Sequence, residues 1–220
     1  MTRSLDYKIK PAQSGTATSL VVFLHGYGAD AADLLGLADP LAPHLPNTAF
    51  LSVEAPDPCA GNPFGRQWFP IPRFDGSTEE AARAAMLASA ADVDAFLDAR
   101  LAEFGLPASA LALVGFSQGT MMSLQVAPRR AAPLACVVGF SGRLVAPEAL
   151  KDEIRVRAPI LLLHGDADDV VPFASMEAAA NALSAAGNEV FAHVMRGTGH
   201  GIAPDGLSSA LYFLRQNLPA

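Results

Sequence analysis

Gly115-Phe116-Ser117-Gln118-Gly119 is the first place in this chain where residue types and spacing point to chemistry. A serine hydroxyl attacks a carbonyl carbon when a nearby base takes its proton. The strand-like run Ala110–Phe116 (ALALVGF) leads into Ser117, and Thr120-Met121-Met122-Ser123-Leu124 is suited to begin a helix right behind it. A strand-to-helix reversal around a serine is a nucleophile elbow. Its turn is so tight that side chains at 115 and 119 would collide, and it lifts the hydroxyl above the strand end at a helix N-terminus. The backbone N–H of Gln118 then points at whatever Ser117 attacks, as an oxyanion donor. The plainer alternative is a Gly-Ser turn that only links a strand to a helix. Gly139-Phe140-Ser141-Gly142-Arg143 tests the rule. It also follows an apolar run, but Arg143 stands where the second glycine is required, so Ser141 reads as a strand-end residue beside the site.

A serine nucleophile needs a base, and the base needs an acid to orient it. Where the nucleophile sits on such an elbow, the chain order is Ser, then Asp or Glu, then His. Three aspartates cluster in His164-Gly165-Asp166-Ala167-Asp168-Asp169-Val170-Val171-Pro172, directly after the apolar run Pro159–His164. That places them at a strand's C-terminal end, where α/β sites form. Spacing alone does not separate the three, since one can orient the base while another holds the turn. Of the five histidines, His200 lies in the loop Gly197-Thr198-Gly199-His200-Gly201, after the strand-like run Glu189–Met195 and before the last helix. A loop position lets its imidazole reach between an Asp and Ser117, so His200 is preferred as base over His193, which lies inside a strand pattern. Leu24-His25-Gly26-Tyr27-Gly28-Ala29-Asp30 supplies the remaining part. An H-G-x-G turn after an early strand brings a second backbone N–H close to the substrate oxygen. A phosphate loop would need a different glycine spacing, which is absent.

The elements that must position these residues alternate. Ser19–His25, Thr48–Val53, Ala110–Phe116, Leu134–Phe140, Pro159–His164 and Glu189–Met195 are short apolar runs that suit strands covered on both faces. Ser77–Phe104, Phe173–Ala186 and Asp205–Asn217 read as helices, the first with a capping box between Ser77 and Glu80 and with Gly105 as its stop. The alternation predicts an α/β fold with a mostly parallel central sheet and helices on both faces, as one domain over residues 1–220. Glu54–Gly76 breaks the rhythm with five prolines, three glycines and the sole tryptophan. Phe64, Trp68, Phe69 and Phe74 argue that this stretch is ordered, as an excursion over one end of the sheet.

Composition narrows the partners. The net charge of −7 and the absence of a Lys/Arg block leave no basic footprint for nucleic acid. No apolar run is long enough to insert through a membrane. MTRSLDYKIK has basic residues with no apolar stretch behind them, so no signal peptide and a cytoplasmic location are expected. Two cysteines make neither a disulfide framework nor a zinc site, and Cys136 in LACVVGF reads as a small buried hydrophobe. No metal or organic cofactor is expected.

Taken together, LHGYGAD, GFSQG, HGDADDVVP and GTGH resemble the small carboxylesterase/phospholipase family of α/β-hydrolases, whose relatives include acyl-protein thioesterases and lysophospholipases. The likeness runs from Val21 to Asn217. It implies a nucleophile at Ser117, a base at His200 and, on the second aspartate of the HGDxDxxVP pattern, the triad acid at Asp168. It implies oxyanion donors at the N–H groups of Leu24 and Gln118. A short family loop with a tryptophan near the acyl groove matches Trp68 in Arg66-Gln67-Trp68-Phe69-Pro70, although the residues after Trp68 depart from the usual acidic continuation. Trp68, Phe69 and Phe74 are therefore candidates for an apolar substrate wall, the alternative being a small core beneath the loop. The expected activity is hydrolysis of small to medium acyl esters through an acyl-enzyme, with lysophospholipid or acyl-protein thioester as the alternative substrate. A homodimer through apolar surface near the site is a further expectation, by family analogy only. A catalytically inert binding protein of the same fold is the remote alternative, and it would typically have lost a triad member.

Overall fold

The computed structural model describes residues 2–219. Its strands are β1 (Tyr7–Lys10), β2 (Ser19–Leu24), β3 (Thr48–Val53), β4 (Asp57–Cys59), β5 (Asn62–Gln67), β6 (Leu111–Phe116), β7 (Cys136–Phe140), β8 (Ile160–Gly165) and β9 (Val190–Met195). Its helices are α1 (Ala31–Leu35), α2 (Ala38–Leu41), α3 (Pro72–Asp75), α4 (Glu79–Phe104), α5 (Gln118–Val126), α6 (Pro147–Glu153), α7 (Ala174–Ala185) and α8 (Pro204–Asn217). Seven strands form one sheet in the order β1-β3-β2-β6-β7-β8-β9, parallel throughout except for β1.

The apolar runs are continuous because both faces of the sheet are covered. Alternate residues of each strand feed opposite layers. Val22, Leu24, Leu113 and Val137 pack with Leu97 of α4, Met122 of α5 and Leu183 of α7. Val21, Phe23, Val114 and Val138 pack on the other side with Leu41 of α2 and Leu214 of α8. Cys136 belongs to this second layer, and burial pushes its thiol up to about 12, so it packs as a small hydrophobe.

All six expected strands form, each within a residue or two of its expected limits. The long helix starts later than expected. Thr78, not Ser77, caps it, with Thr78 Oγ1 accepting from Ala81 N at 3.1 Å, while Gly105 ends it in the left-handed region. The 54–76 excursion is ordered: it holds the β4–β5 hairpin and α3. Strand order reverses between β2 and β6, which are neighbours although β3 to α4 intervene in sequence. Loops at the C-terminal ends of two such strands diverge and leave a crevice. The HGYG turn follows β2 and Ser117 follows β6, so both sit at that crevice.

Candidate active site

Ser117 occupies the turn between β6 and α5 with φ 53° and ψ −114°, a conformation that non-glycine residues rarely adopt. The surroundings hold it there. Ser117 N donates to Phe140 O at 2.8 Å, and the Thr120 hydroxyl lies 2.8 Å from Gly115 O and 2.7 Å from Phe140 O. Gly115 and Gly119 are required, as the spacing predicts. A Cβ on Gly115 would lie 2.5 Å from Gly119 backbone, and one on Gly119 would lie 1.8 Å from Leu24 O. Gln118 opens α5, so its N–H is among the first-turn donors that no helix carbonyl reaches.

His200 and Asp168 converge on this serine. Ser117 Oγ lies 2.9 Å from His200 Nε2, and His200 Nδ1 lies 2.8 Å from Asp168 Oδ2. A proton on Nδ1 facing the carboxylate leaves Nε2 to accept from the hydroxyl. The other two aspartates separate cleanly. Asp166 accepts from Gly197 N at 2.7 Å and so ties the acid loop to the His200 loop, while Asp169 is exposed. The two loops are pressed together at Gly165, where a Cβ would lie 2.2 Å from Thr198 O. His193 stays in β9, with Nε2 2.8 Å from Asp205 Oδ2.

On the side expected to supply the second oxyanion donor, Leu24 ends a strand. That residue is the last of β2, in register with Val53 on one side and Gly115 on the other. The segment that approaches Ser117 is the turn after it: a Cβ on Gly26 would lie 3.5 Å from Ser117 Cβ. The hairpin braces this turn. Gly28 N donates to Arg66 O at 2.9 Å and Arg66 N to Ala29 O at 2.8 Å.

Trp68 and Phe69 are not an exposed wall. Trp68 is fully buried and its indole N–H donates to His25 O at 2.9 Å. Gln118 anchors both through its side chain: Trp68 N donates to Oε1 at 2.9 Å and Nε2 donates to Phe69 O at 2.8 Å. An indole N–H and a backbone pair that need partners explain why these residues turn inward. Phe74 alone of the three is exposed, at 54%, with its ring 5.6 Å from that of Tyr27. A concavity of about 590 Å³ lies here, lined by Tyr27, Gly28, Gly61, Asn62, Arg73 and Phe74. α3 thus touches Tyr27 on one side and, through Arg73, the carbonyl of Val170 in the acid loop on the other, at 3.5 Å. A second hollow of about 640 Å³ runs between β9 and α8, away from Ser117. Among the described residues no three His, Cys, Asp or Glu side chains converge as a metal site requires.

Two titrations are shaped by this packing. Burial raises the Asp168 carboxyl, but the His200 hydrogen bond and the N–H groups of Val171 and Val170 outweigh it and hold it below the ordinary carboxylate value. Burial lowers His25 below its ordinary 6.5, outweighing its bond to Gly26 O. Its Nε2 accepts from Ala55 N at 3.1 Å, so the neutral ring bearing its proton on Nδ1 fits the site. The unfolded chain therefore binds a proton at His25 more readily than the fold does. That contribution to stability is present above about 6.5 and is lost as pH falls below it. The melting temperature of wild type minus that of His25→Gln, followed from pH 8 to pH 5, is expected to shrink with falling pH. A constant difference would show that His25 is not held neutral.

One contact at the site had no sequence signal beyond the HGD motif itself. His164 Nε2 lies 3.1 Å from Asp168 Oδ2, on the same oxygen that His200 uses.

The geometry has counterparts in known proteins. A family model described as phospholipase/carboxylesterase matches residues 8–218. Esterase YpfH of Escherichia coli is 31% identical over 214 residues, covering 97% of this chain and 89% of that protein. The crystal structure of esterase PE8 superposes with a TM-score of 0.93 at 44% identity, covering 98% of this chain and all of that one. The crystal structure of Zea mays acyl-protein thioesterase 2 gives a TM-score of 0.79 at 28% identity, covering 97% of this chain and 99% of that one.

Proposed function

This chain belongs to the phospholipase/carboxylesterase family of α/β-hydrolases and is a hydrolytic enzyme of the esterase/thioesterase group; from that premise we propose that it cleaves small to medium acyl esters through a Ser117–His200–Asp168 triad and an acyl-enzyme. The observation that carries the reading is the unbroken relay from Ser117 Oγ through His200 to Asp168, at 2.9 and 2.8 Å.

His200 Nε2 takes the Ser117 proton as Oγ bonds to the carbonyl carbon. The tetrahedral oxyanion accepts hydrogen bonds from Gln118 N–H and from the turn that follows Leu24, each such donor contributing about 3 kcal/mol. His200 then gives the proton to the departing alkoxide oxygen, and the C–O bond breaks. Water enters, His200 takes its proton, and hydroxide attacks the acyl carbon. Expulsion of Ser117 Oγ, reprotonated by His200, frees the acid. Asp168 holds the imidazole in the required tautomer and stabilises its cation.

Acyl length is read from the excursion. Trp68 and Phe69 are buried beneath the loop, so they are not free to wall a long groove, and the Tyr27–Phe74 rim supports a short or medium chain. Thioester hydrolysis uses the same steps with a thiolate leaving group, and the relatives named acyl-protein thioesterase favour it as the second reading. Among the described residues no helix is long and apolar enough to cross a membrane.

The test is a p-nitrophenyl ester series from acetate to palmitate, with matched acyl thioesters, alongside fluorophosphonate labelling read by intact mass. Highest kcat/KM at eight carbons or fewer and one adduct at Ser117 are expected. A maximum at palmitate moves the reading to a lysophospholipase or acyl-protein thioesterase. A folded protein that takes no adduct and cleaves nothing overturns it.

A further inference from the structure

Asp168 serves two imidazoles, and the second of them is outside the relay. His164 stands near the end of β8 with its side chain 1% exposed, and the Asp168 carboxylate is wholly enclosed. His164 Nε2 lies 2.9 Å from Val171 O and 3.1 Å from Asp168 Oδ2. A carbonyl oxygen only accepts, so Nε2 carries a proton that it donates to Val171 O, and the same N–H lies beside the Asp168 carboxylate. Phe173 closes the other side, its ring edge-on to the imidazole at 6.0 Å. Asp168 Oδ1 is meanwhile held by the N–H groups of Val170 and Val171, both at 2.9 Å. The carboxylate therefore accepts from three N–H groups, His200 among them, and has the His164 Nε2–H beside it as a fourth. The titratable groups in contact are His164, Asp168 and His200 alone among those bonded here.

We propose that His164 is a positioning residue for the hydrolytic reaction: its Nε2–H locks the rotation of the Asp168 carboxylate and takes up part of the charge on Oδ2, which sets how strongly Asp168 favours protonated His200. The inference rests on the triad reading above. Two backbone donors hold Oδ1, but only the two imidazoles meet Oδ2. Without His164 the carboxylate would present all the charge on Oδ2 to His200. Imidazolium would be stabilised and the free base would appear only at higher pH. The carboxylate would also be less firmly aimed, which slows proton transfer.

The experiment is the pH dependence of kcat/KM for wild type, His164→Leu and His164→Gln, with Ser117→Ala as the control. Leu removes the donor at similar volume, whereas the Gln amide can place an N–H near the position of Nε2. His164→Leu is expected to move the acid limb upward by roughly one pH unit and to lower the plateau kcat about ten-fold. His164→Gln is expected to return the limb towards wild type. A packing role would lower stability or kcat without moving the limb. The inference is overturned if the limb of folded His164→Leu coincides with wild type, or if Gln moves it as far as Leu does. Should His164→Leu fail to fold, ¹⁵N-histidine spectra of the wild-type protein decide the matter. A protonated His164 Nε2 between pH 7 and 9 supports the inference, and an unprotonated one overturns it. If Ser117→Ala keeps its activity, the triad reading itself fails, whatever the His164 variants do.

Discussion

Ser117→Ala is expected to lower kcat for ester hydrolysis by about five to six orders of magnitude, with the fold intact and substrate affinity little changed. In the proposed reaction the hydroxyl is the atom that bonds to the acyl carbon, and it reaches the relay through its 2.9 Å contact with His200 Nε2. Methyl in its place leaves nothing to attack. The oxyanion donors and the rim at Tyr27 and Phe74 remain, so the residual rate should still exceed that in water. A companion variant separates chemistry from strain. Ser117 sits at φ 53°, where glycine is at ease and other residues are not. Ser117→Gly should be as inactive as Ser117→Ala yet melt higher, by about 2–4 °C for ~1 kcal/mol of strain relieved. Steady-state kinetics and thermal melts check both. If Ser117→Ala turns over within ten-fold of wild type, the nucleophile lies elsewhere. Ser141 would be the first place to look, because it also has positive φ and its buried hydroxyl has no partner among the described residues.

The parts of the fold written most plainly in the sequence are those in which every position is buried. β2, β3, β6, β7 and β8 are continuous apolar runs because helices cover both faces, and such runs have few other uses in a chain this size. β9 is half-exposed, yet its flanking turns still mark it. β1 left no comparable trace: four residues at the sheet edge, half of them exposed, differ little from a polar loop until Phe50–Val53 pairs with them. The β4–β5 hairpin is hidden for a similar reason, since Pro58 and Pro63 argue against strands and the pairing carries a register shift.

The site divides along the same line. Ser117, Asp168 and His200 sit in turns whose glycines constrain the backbone, and those glycines are visible as letters. Which aspartate meets His200 is a matter of direction in three dimensions, and only the family likeness chose among them beforehand. The letters around Trp68 are compatible with a groove wall or with a small core beneath the loop, and its N–H and the Gln118 side chain draw it inside. Leu24 ends β2, and the turn after it is the part that approaches Ser117. A histidine at a strand end, such as His164, carries no mark of its partner in the sequence. Its contact with Asp168 depends on the acid loop folding back by four residues.

Gly119→Ala is expected to be the most damaging single methyl in the protein. Its Cβ would lie 1.8 Å from Leu24 O and 2.4 Å from Leu24 C. Both atoms belong to the backbone of β2, a strand paired on both sides in the middle of the sheet, so neither can yield as a side chain tip would. Inserting a methyl into a packed core costs about 1–3 kcal/mol, and rigid neighbours put this one at or above the upper end. For a chain of this length that corresponds to a melting temperature lower by about 6–12 °C, or to insoluble expression. Activity should fall further than stability does. α5 can accommodate the methyl only by moving away from β2, which draws Ser117 and Gln118 N–H apart from the HGYG turn. A misplacement of about 1 Å is enough to cost about a hundred-fold in kcat. Gly105→Ala provides the contrast: it has φ +65°, and beyond its chain neighbours an added Cβ meets nothing within 4 Å among the described residues. It should cost only the left-handed penalty of about 1–2 kcal/mol and leave kcat unchanged. Melts and kinetics on the two variants separate backbone strain from collision at the elbow. A Gly119→Ala enzyme that melts within 2 °C of wild type and keeps its kcat would mean that the second glycine of the elbow is not held against β2.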